Sequence, residues 1–271
     1  MLHLRFQSKP WAMHFVTTRC LQGFNFLRPS SKVNHITAGV LAYSLQLHSE
    51  MIKLHHYVFL SNHLHFILSS RDAKALAQFM CHFKSNLARE LGRIHDWHGP
   101  LWQSRYAKDE ILDEASLIQA FKYIFSNSVK EGLVEHPRDW PGLHGYHQLC
   151  QGRTVEGGWV SRESLYHAKQ TKRGVDLSEE DFTSLLKVKL TRPEIWMDWS
   201  DEIYKERCAM WADEVSQEAS SERLTPVMGA SRICREPILE ARIIKRSPRP
   251  LCRAKCIKLL KAYKRVYYEF K

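Results

Sequence analysis

The sequence predicts a mixed α/β domain in which helices pack on a sheet, followed by a mainly α-helical region. Over about the first 130 residues, stretches rich in β-branched and aromatic side chains alternate with stretches whose apolar residues recur at helical spacing. Alternation of this kind is typical of a compact sheet covered by helices. Beyond Gly152 the composition becomes more polar, so we expect one domain at 1–150 and a helical extension at 151–271.

The elements of the predicted domain follow from propensity, periodicity and capping residues. Asp72 and Asp113 each precede a segment with helical periodicity and are suited to cap a helix, and Gly132 closes the second of these helices. Ser61 and Asn62 form a short turn between two strand-like segments. The predicted strands are residues 11–20, 51–60, 63–68 and 101–112, and the predicted helices are residues 33–50, 73–93 and 114–130.

The extension combines an irregular segment with three helical patterns. Residues 153–175 are mostly polar and predict a linker or an irregular segment. Helices are predicted at 178–190, 200–219 and 250–271. The last helix is amphipathic and basic, because ten Lys or Arg and one acid follow from position 245 onward. Such a helix can dock on its own domain, on nucleic acid or on a membrane surface, and we expect it on its own domain with the basic side outward.

The charge balance favours a polyanionic partner, and we expect nucleic acid. Forty Lys and Arg against 29 Asp and Glu give a formal net charge of +11 and an isoelectric point near 9.3. The sequence has no run of about 18 apolar residues and no apolar signal-peptide core, which predicts a cytosolic protein. Seven cysteines without a CxxC pair argue against a disulfide framework and against a zinc ribbon.

A predicted strand carries the first candidate site residues, His63 and His65. Alternate side chains of a strand share a face, so the two imidazoles point the same way and could chelate one divalent ion or grip one phosphate. Alone the pattern is weak, because with 15 histidines among 271 residues a His-apolar-His triplet occurs by chance roughly 0.4 times. Two structural histidines on a half-exposed sheet face are the alternative interpretation.

The predicted helix at 114–130 carries the second group of candidates. Beside its apolar stripe, a second face at helical spacing holds Ala120, Tyr123, Asn127 and Lys130. A tyrosine hydroxyl can act as a nucleophile, an amide oxygen can ligate a hard metal ion, and a lysine can meet a phosphate. The small Ala120 would leave room beside them. On the helix pattern alone, an ordinary amphipathic surface helix is the favoured alternative.

Four sequence blocks, in a fixed order, resemble a known protein family. They are Asn62-His63-Leu64-His65, the segment LWQSRY at 101–106, the segment YIFSNSVKEGL at 123–133, and Trp140-Pro141. Together they resemble the single-tyrosine HUH transposases and are most similar to the REP-associated tyrosine transposases among them. The resemblance covers roughly residues 10–150 and says nothing about 151–271.

The resemblance implies an α+β fold with the antiparallel, RRM/ferredoxin-like sheet of HUH endonucleases. It implies Tyr123 as the nucleophile, with His63, His65 and Asn127 as ligands of Mg²⁺ or Mn²⁺. The reaction would be nicking and strand transfer on single-stranded or hairpin DNA through a 5′-phosphotyrosine intermediate. The expected setting is the bacterial cytoplasm, with nucleoid association when DNA is bound and no membrane partner. A homodimer is left open, because subunits of this wider family can share tyrosine helices.

Binding should depend on phosphate contacts and on stacking of unpaired bases. Lys84, Arg105 and Lys130 are the expected phosphate contacts. Trp102 and Tyr106 are candidates for stacking, although core positions are the favoured interpretation for both.

Two prolines of the family pattern are replaced in this chain, by Ser61 before Asn62-His63 and by Ser128 after Asn127. Neither replacement removes a catalytic atom, but both change the local backbone restriction. Three alternatives remain open: a nucleic-acid-binding protein of the same fold without catalysis, an HUH enzyme of the relaxase or replication-initiator type, and a metal-dependent hydrolase without a tyrosyl intermediate.

Overall fold

A computed structural model of the protein describes residues 5–171, 177–241 and 250–270. The first half of the chain contains strands β1 (Ala12–Arg19), β2 (Ile52–Leu60), β3 (His63–Ser70) and β4 (Ala107–Ile111), and helices α1 (Ser31–Leu47), α2 (Ala73–His95) and α3 (Glu114–Lys130). The second half contains helices α4 (Tyr146–Gln151), α5 (Arg162–Thr171), α6 (Asp201–Glu222), α7 (Ala230–Ile233) and α8 (Ile257–Phe270), and strands β5 (Glu156–Val160), β6 (Thr183–Lys187) and β7 (Cys252–Arg253).

The main sheet has five strands in the order β2-β3-β1-β4-β7. All pairs are antiparallel except β4 with β7, which is parallel. Strands β5 and β6 form a separate antiparallel pair. The predicted α+β class, an antiparallel sheet with helices on it and a mainly helical C-terminal region, is confirmed.

Each face of the main sheet is covered by its own apolar cluster. Side chains alternate across the pleat, so Val16 and Phe66 join the cluster under α1 and α2, whereas Phe15 and Ile67 join the cluster under α3 and α6. Helix α6 docks on α3, where Phe121 packs edge-on against Trp211 with ring centroids 6.0 Å apart. Residues beyond 151 therefore complete the layer that covers the α3 face.

The starts of α2 and α3 are fixed by the capping residues that the sequence predicts. The Asp72 carboxylate accepts a hydrogen bond from the backbone N–H of Ala75 at 2.8 Å, and Asp113 accepts one from Ser116 at 2.8 Å. The second oxygen of Asp113 accepts from the backbone N–H groups of Lys255 and Cys256, at 2.7 and 2.9 Å. One carboxylate thus holds both the start of α3 and the segment between β7 and α8.

The structure corrects three predicted elements of the chain. Residues 101–106 were predicted as part of the last strand but form a loop, and β4 begins at Ala107. The predicted linker contains β5 and α5, and its residues 172–176 lie outside the described part of the chain. The predicted helix at 178–190 is wrong, because these residues form a 3₁₀ turn followed by β6.

Close packing of glycines explains why the second and third of these predictions were wrong. Strand β5 lies so close to α1 that a Cβ atom on Gly39 would meet the carbonyl oxygen of Gly158 at 1.9 Å. Strand β5 also pairs along its whole length with β6. Pairing with a distant segment overrides the local helical pattern of 178–190, since propensity is a weak determinant beside tertiary contacts.

The predicted basic terminal helix exists, but it begins later than expected. Residues 252–253 pair with β4 as β7, and α8 begins at Ile257; positions 245–249 and 271 lie outside the described residues. Helix α8 packs on its own chain, as expected, with the rings of Tyr263 and Phe6 5.4 Å apart. Across the described parts of the chain, no helix combines the length and the apolar character that crossing a bilayer requires.

Candidate active site

The two histidines of the sequence motif lie at the start of β3, on the face covered by α3. The ring centroids of His63 and His65 are 5.0 Å apart. In the ladder between β1 and β3, Thr17 lies opposite His65 and Arg19 opposite His63. The end of the sheet near the turn at 61–62 therefore presents two imidazoles beside an arginine and a threonine.

The imidazole of His65 is buried and has one nitrogen anchored. Its Nδ1 lies 2.8 Å from the Thr17 hydroxyl oxygen, while its Nε2 has no hydrogen-bond partner among the described residues. Burial holds the pKa of His65 well below its ordinary value, and the charges of His63, Arg19 and Arg253 lower it further. When Nδ1–H donates to Thr17, Nε2 carries a lone pair that no protein group uses.

His63 is half-buried and is oriented by the residue before it. Its Nδ1 lies 2.7 Å from the side-chain oxygen of Asn62. An amide oxygen can only accept, so Nδ1 carries the proton and Nε2 is the unprotonated nitrogen in the neutral ring. The Nδ1 atoms of His63 and His65 are thus each held by a polar neighbour, Asn62 and Thr17 respectively.

Helix α3 brings Tyr123 against His65. Tyr123 is 43% exposed, and its ring centroid lies 5.3 Å from that of His65 and 5.4 Å from that of Phe15. Both ring pairs are edge-to-face. Tyr123 is therefore both open to solvent and in contact with the histidine strand.

The rest of the predicted polar face of α3 is less exposed than its pattern indicates. Asn127 is 7% exposed, and its Nδ2 has no hydrogen-bond partner among the described residues. Ala120 is fully buried in the core, so the expected room beside Tyr123 does not come from this residue. Lys130, in the last turn of α3, is exposed.

The expected donor set of His63, His65 and Asn127 offers imidazole nitrogens and an amide oxygen, which are ligand types of divalent ions. An anchored imidazole with an unpaired Nε2 is the arrangement in which metal-binding histidines are found, with the second nitrogen held by a polar neighbour. The unpartnered atom of Asn127 is its Nδ2, which can only donate hydrogen bonds, so the atom that would ligate a cation is Oδ1. Within 5–171, 177–241 and 250–270 no group of three or more His, Cys, Asp or Glu could hold a metal, and the predicted set contains only two residues of those types.

Arg253 lies at this site, although sequence reasoning did not find it. The pairing of β7 with β4 places its guanidinium carbon 4.0 Å from the centroid of the Phe15 ring. Its Nη2 lies 3.0 Å from a carboxylate oxygen of Asp109. Strand β7 has two residues and no periodicity, so only the excess of basic residues near the C-terminus could have drawn attention to Arg253.

Two of the three predicted phosphate contacts, Lys84 and Arg105, lie together at a second location. Both line a cavity of about 470 Å³ between α2 and the loop at 100–106, together with Trp102. Trp102 is half-buried and Tyr106 is 4% exposed, so Tyr106 is a core residue. Lys130, the third predicted contact, is on α3 and does not line this cavity.

Comparisons with solved structures report two proteins of similar architecture. One is a REP-associated tyrosine transposase bound to a REP hairpin, with 18% sequence identity and a TM-score of 0.42, covering 66% of this chain and 96% of the other. The second is a candidate transposase from Deinococcus radiodurans R1, with 16% identity and a TM-score of 0.33, covering 46% of this chain and 95% of the other. No protein-family model and no curated protein matches the sequence.

Proposed function

We propose that the protein nicks single-stranded DNA and transfers the cut strand, with Tyr123 as the nucleophile. The observation that carries the proposal is the contact between Tyr123 and His65, which joins an exposed hydroxyl-bearing ring to an imidazole with an unpaired Nε2. The four sequence blocks that resemble the REP-associated tyrosine transposases support the same assignment. The net charge of +11 supports a polyanionic substrate.

The chemistry proposed for Tyr123 is a reversible transesterification. Its hydroxyl oxygen forms a bond to the scissile phosphorus, the bond from phosphorus to the 3′-oxygen breaks, and the proton lost by the phenol is matched by one gained at the 3′-oxygen. The products are a 5′-phosphotyrosine link and a free 3′-hydroxyl. Attack by another 3′-hydroxyl on the phosphotyrosine rejoins the strands. The number of phosphoester bonds is conserved, so no nucleotide cofactor is needed.

Four neighbouring side chains would prepare the phosphate for this attack. His63, His65 and Asn127 would hold Mg²⁺ or Mn²⁺, which would polarise the phosphate oxygens. The charge of Arg253 lies beside the Phe15 ring that Tyr123 contacts, and it would offset the negative charge that grows on those oxygens. The proposed substrates are single-stranded or hairpin DNA. The reaction would take place in the bacterial cytoplasm, on the nucleoid. It would be carried out by a monomer or by a homodimer that shares α3.

A covalent-adduct assay tests the proposal. The protein is incubated with Mg²⁺ or Mn²⁺ and with single strands and hairpins from the DNA that flanks its own gene, and then denatured. We expect a protein–DNA adduct that survives denaturant and is lost in Tyr123→Phe. The matched control is Tyr166→Phe. Tyr166 is also an exposed tyrosine on a helix, at 61% exposure, but that helix is α5 and not α3. Adduct formation by Tyr123→Phe would show that another residue is the nucleophile.

DNA binding without catalysis is the second candidate function. The observation that favours it is the burial of His65, which is 3% exposed beneath Phe15 and Tyr123. A metal ion could bind His65 only if it reached Nε2, and a protein that binds DNA without cleaving it would not require that access. Tight binding that weakens steeply with salt, without any adduct on any of these DNAs, would favour this function.

A further inference from the structure

A second candidate site lies at the cavity between α2 and the loop at 100–106. Its wall is apolar, with Met80 and Ala88 from α2 and Leu101 from the loop. Its volume of about 470 Å³ is within the range of small-molecule sites. An apolar wall of this size accepts one flat ring system.

Trp102 supplies an aromatic surface that is fixed in place. Its indole Nε1 donates a hydrogen bond to the backbone oxygen of Lys84 at 3.0 Å. The Lys84 ammonium lies 5.3 Å from the centroid of the Trp102 ring and donates to the backbone oxygen of Ser104 at 2.8 Å. Because these bonds already hold α2 and the loop together, binding of a ligand should cost little conformational entropy in this part of the protein.

The charge around the cavity is positive and is not balanced by its own lining. Lys84 and Arg105 line it, and no Asp or Glu is among the described residues that do so. Burial lowers the pKa of Lys84 to about 8, and the nearby charges of Arg5 and Arg105 act in the same direction. An anion at the rim would relieve this repulsion, so the site combines an apolar aromatic pocket with an anion-binding edge.

The cavity is connected to the histidine strand through the backbone. Gln103, in the loop, donates its N–H to the backbone oxygen of Arg19 at 2.9 Å. Arg19 lies opposite His63 in the sheet. The pocket lies on the α2 side of the sheet and the histidines on the α3 side, so a DNA strand that reached both would pass around the end of the sheet where this loop lies.

We propose that this pocket receives one unpaired nucleobase of the DNA strand, stacked on Trp102, with the adjoining phosphate held by Lys84 and Arg105. The proposal rests on DNA being the substrate of the proposed function, but it does not depend on cleavage. Stacking on an aromatic side chain tolerates any base, and a pocket that takes one base favours a strand that can turn that base out of its stack.

Photocrosslinking tests the pocket without requiring chemistry at Tyr123. Tyr123→Phe protein is mixed with 20-nucleotide single strands that carry 5-iododeoxyuridine in place of every thymidine, irradiated, digested and sequenced by mass spectrometry. Ser85→Met fills the pocket, because Ser85 is exposed on α2 and lines it. Ser220→Met is the matched control, since Ser220 is exposed on α6 outside the pocket.

We expect the crosslink at Trp102, its loss in Ser85→Met and its retention in Ser220→Met. Ser85→Met should also weaken DNA binding by roughly 5- to 150-fold, the range for loss of one stacked base. A crosslink at other residues, with unchanged affinity in Ser85→Met, would overturn the proposal.

Two further outcomes separate this proposal from the proposed function. If Ser85→Met converts a dimer to a monomer in sedimentation and leaves DNA affinity unchanged, the pocket takes a second copy of the chain and the proposal is overturned. If the Trp102 crosslink forms but wild-type protein gives no covalent adduct, only the assignment of catalysis at Tyr123 fails. If no variant binds DNA, both fail.

Discussion

His55 on β2 and His65 on β3 are buried histidines of one sheet, yet their nitrogens have different surroundings. In His55, Nδ1 lies 2.6 Å from the backbone oxygen of Thr191 and Nε2 lies 2.8 Å from the Ser69 hydroxyl. In His65 only Nδ1 has a partner, Thr17. Burial lowers the pKa of both rings. Burial therefore does not distinguish these two rings, whereas the unpaired Nε2 of His65 does.

The largest expected effect is the difference in adduct formation between two variants, in which one or the other of these histidines is replaced by glutamine. His65→Gln should reduce the rate of adduct formation by at least about 100-fold, since the loss of a ligand exceeds the effect of losing a residue that only orients one. His55→Gln should leave adduct formation nearly unchanged and lower the free energy of unfolding by roughly 1–3 kcal/mol, because buried partners are left unpaired. Rates come from gel quantification, and stability from urea titration. Equal effects of the two variants on the rate would contradict the comparison.

The next effect concerns the group that orients His65. Thr17→Val keeps the shape of the side chain but removes the hydroxyl 2.8 Å from Nδ1, so adduct formation should fall about 10- to 100-fold. The neighbouring Thr18→Val is the matched control, because Thr18 is also buried and its hydroxyl has no partner among the described residues. Its rate should stay at the wild-type value. Equal losses in both variants would mean that any change in β1 disturbs the site.

Acid should weaken the fold through the satisfied histidines. Burial lowers the pKa of His55 to about 4 and that of His144 to about 3, from 6.5 in the unfolded chain. Between pH 6.5 and 4 the unfolded chain binds more protons, so stability is complete above pH 6.5 and is lost as the pH falls. Each residue should contribute about 1 kcal/mol between pH 6.5 and 5.5, below the limiting slope of about 1.4 kcal/mol per pH unit. Urea titrations at pH 6.5 and 5.5 measure the slope, which should be smaller in His55→Gln; an unchanged slope would exclude His55 as a source.

The smallest predicted effect is that of replacing Arg253, a residue of β7 beside the site, on the binding of DNA. Arg253→Gln should weaken binding of single-stranded DNA several-fold and reduce the dependence of log K on log salt by about 0.7, as expected for the loss of one phosphate contact. Arg207→Gln is the control, because Arg207 is exposed on α6. Fluorescence anisotropy over a salt series provides both values. An unchanged slope in Arg253→Gln would assign this residue to the ion pair with Asp109 alone.

Most elements up to α3 were predictable because their signals are local. Strand alternation places His63 and His65 together, and the caps Asp72 and Asp113 fix two helix starts. Periodicity drew attention to His63, His65, Tyr123 and Asn127, and the family resemblance implied their roles. Periodicity in fact placed Ala120 and Asn127 on an open polar face, whereas packing of α3 on the sheet buries both.

The parts that sequence did not predict depend on contacts between distant segments. Strand β6 forms because β5 offers an edge, and β5 is in place because Gly39 and Gly158 let it approach α1. Arg253 reaches the candidate site through two paired residues of β7. No local pattern encodes such contacts, since each segment alone is compatible with another structure.

The shared carboxylate of Asp113 restricts which residues can occupy that position. At an ordinary helix start Asp and Asn are interchangeable, because either side chain accepts one backbone hydrogen bond. Here Asp113 accepts from Ser116 with one oxygen and from Lys255 and Cys256 with the other. An asparagine would turn its NH₂ group, which cannot accept a hydrogen bond, either toward the N–H of Ser116 or toward the N–H groups of Lys255 and Cys256. Drift to asparagine at this one position would therefore loosen either the helix that carries Tyr123 or the segment that follows Arg253.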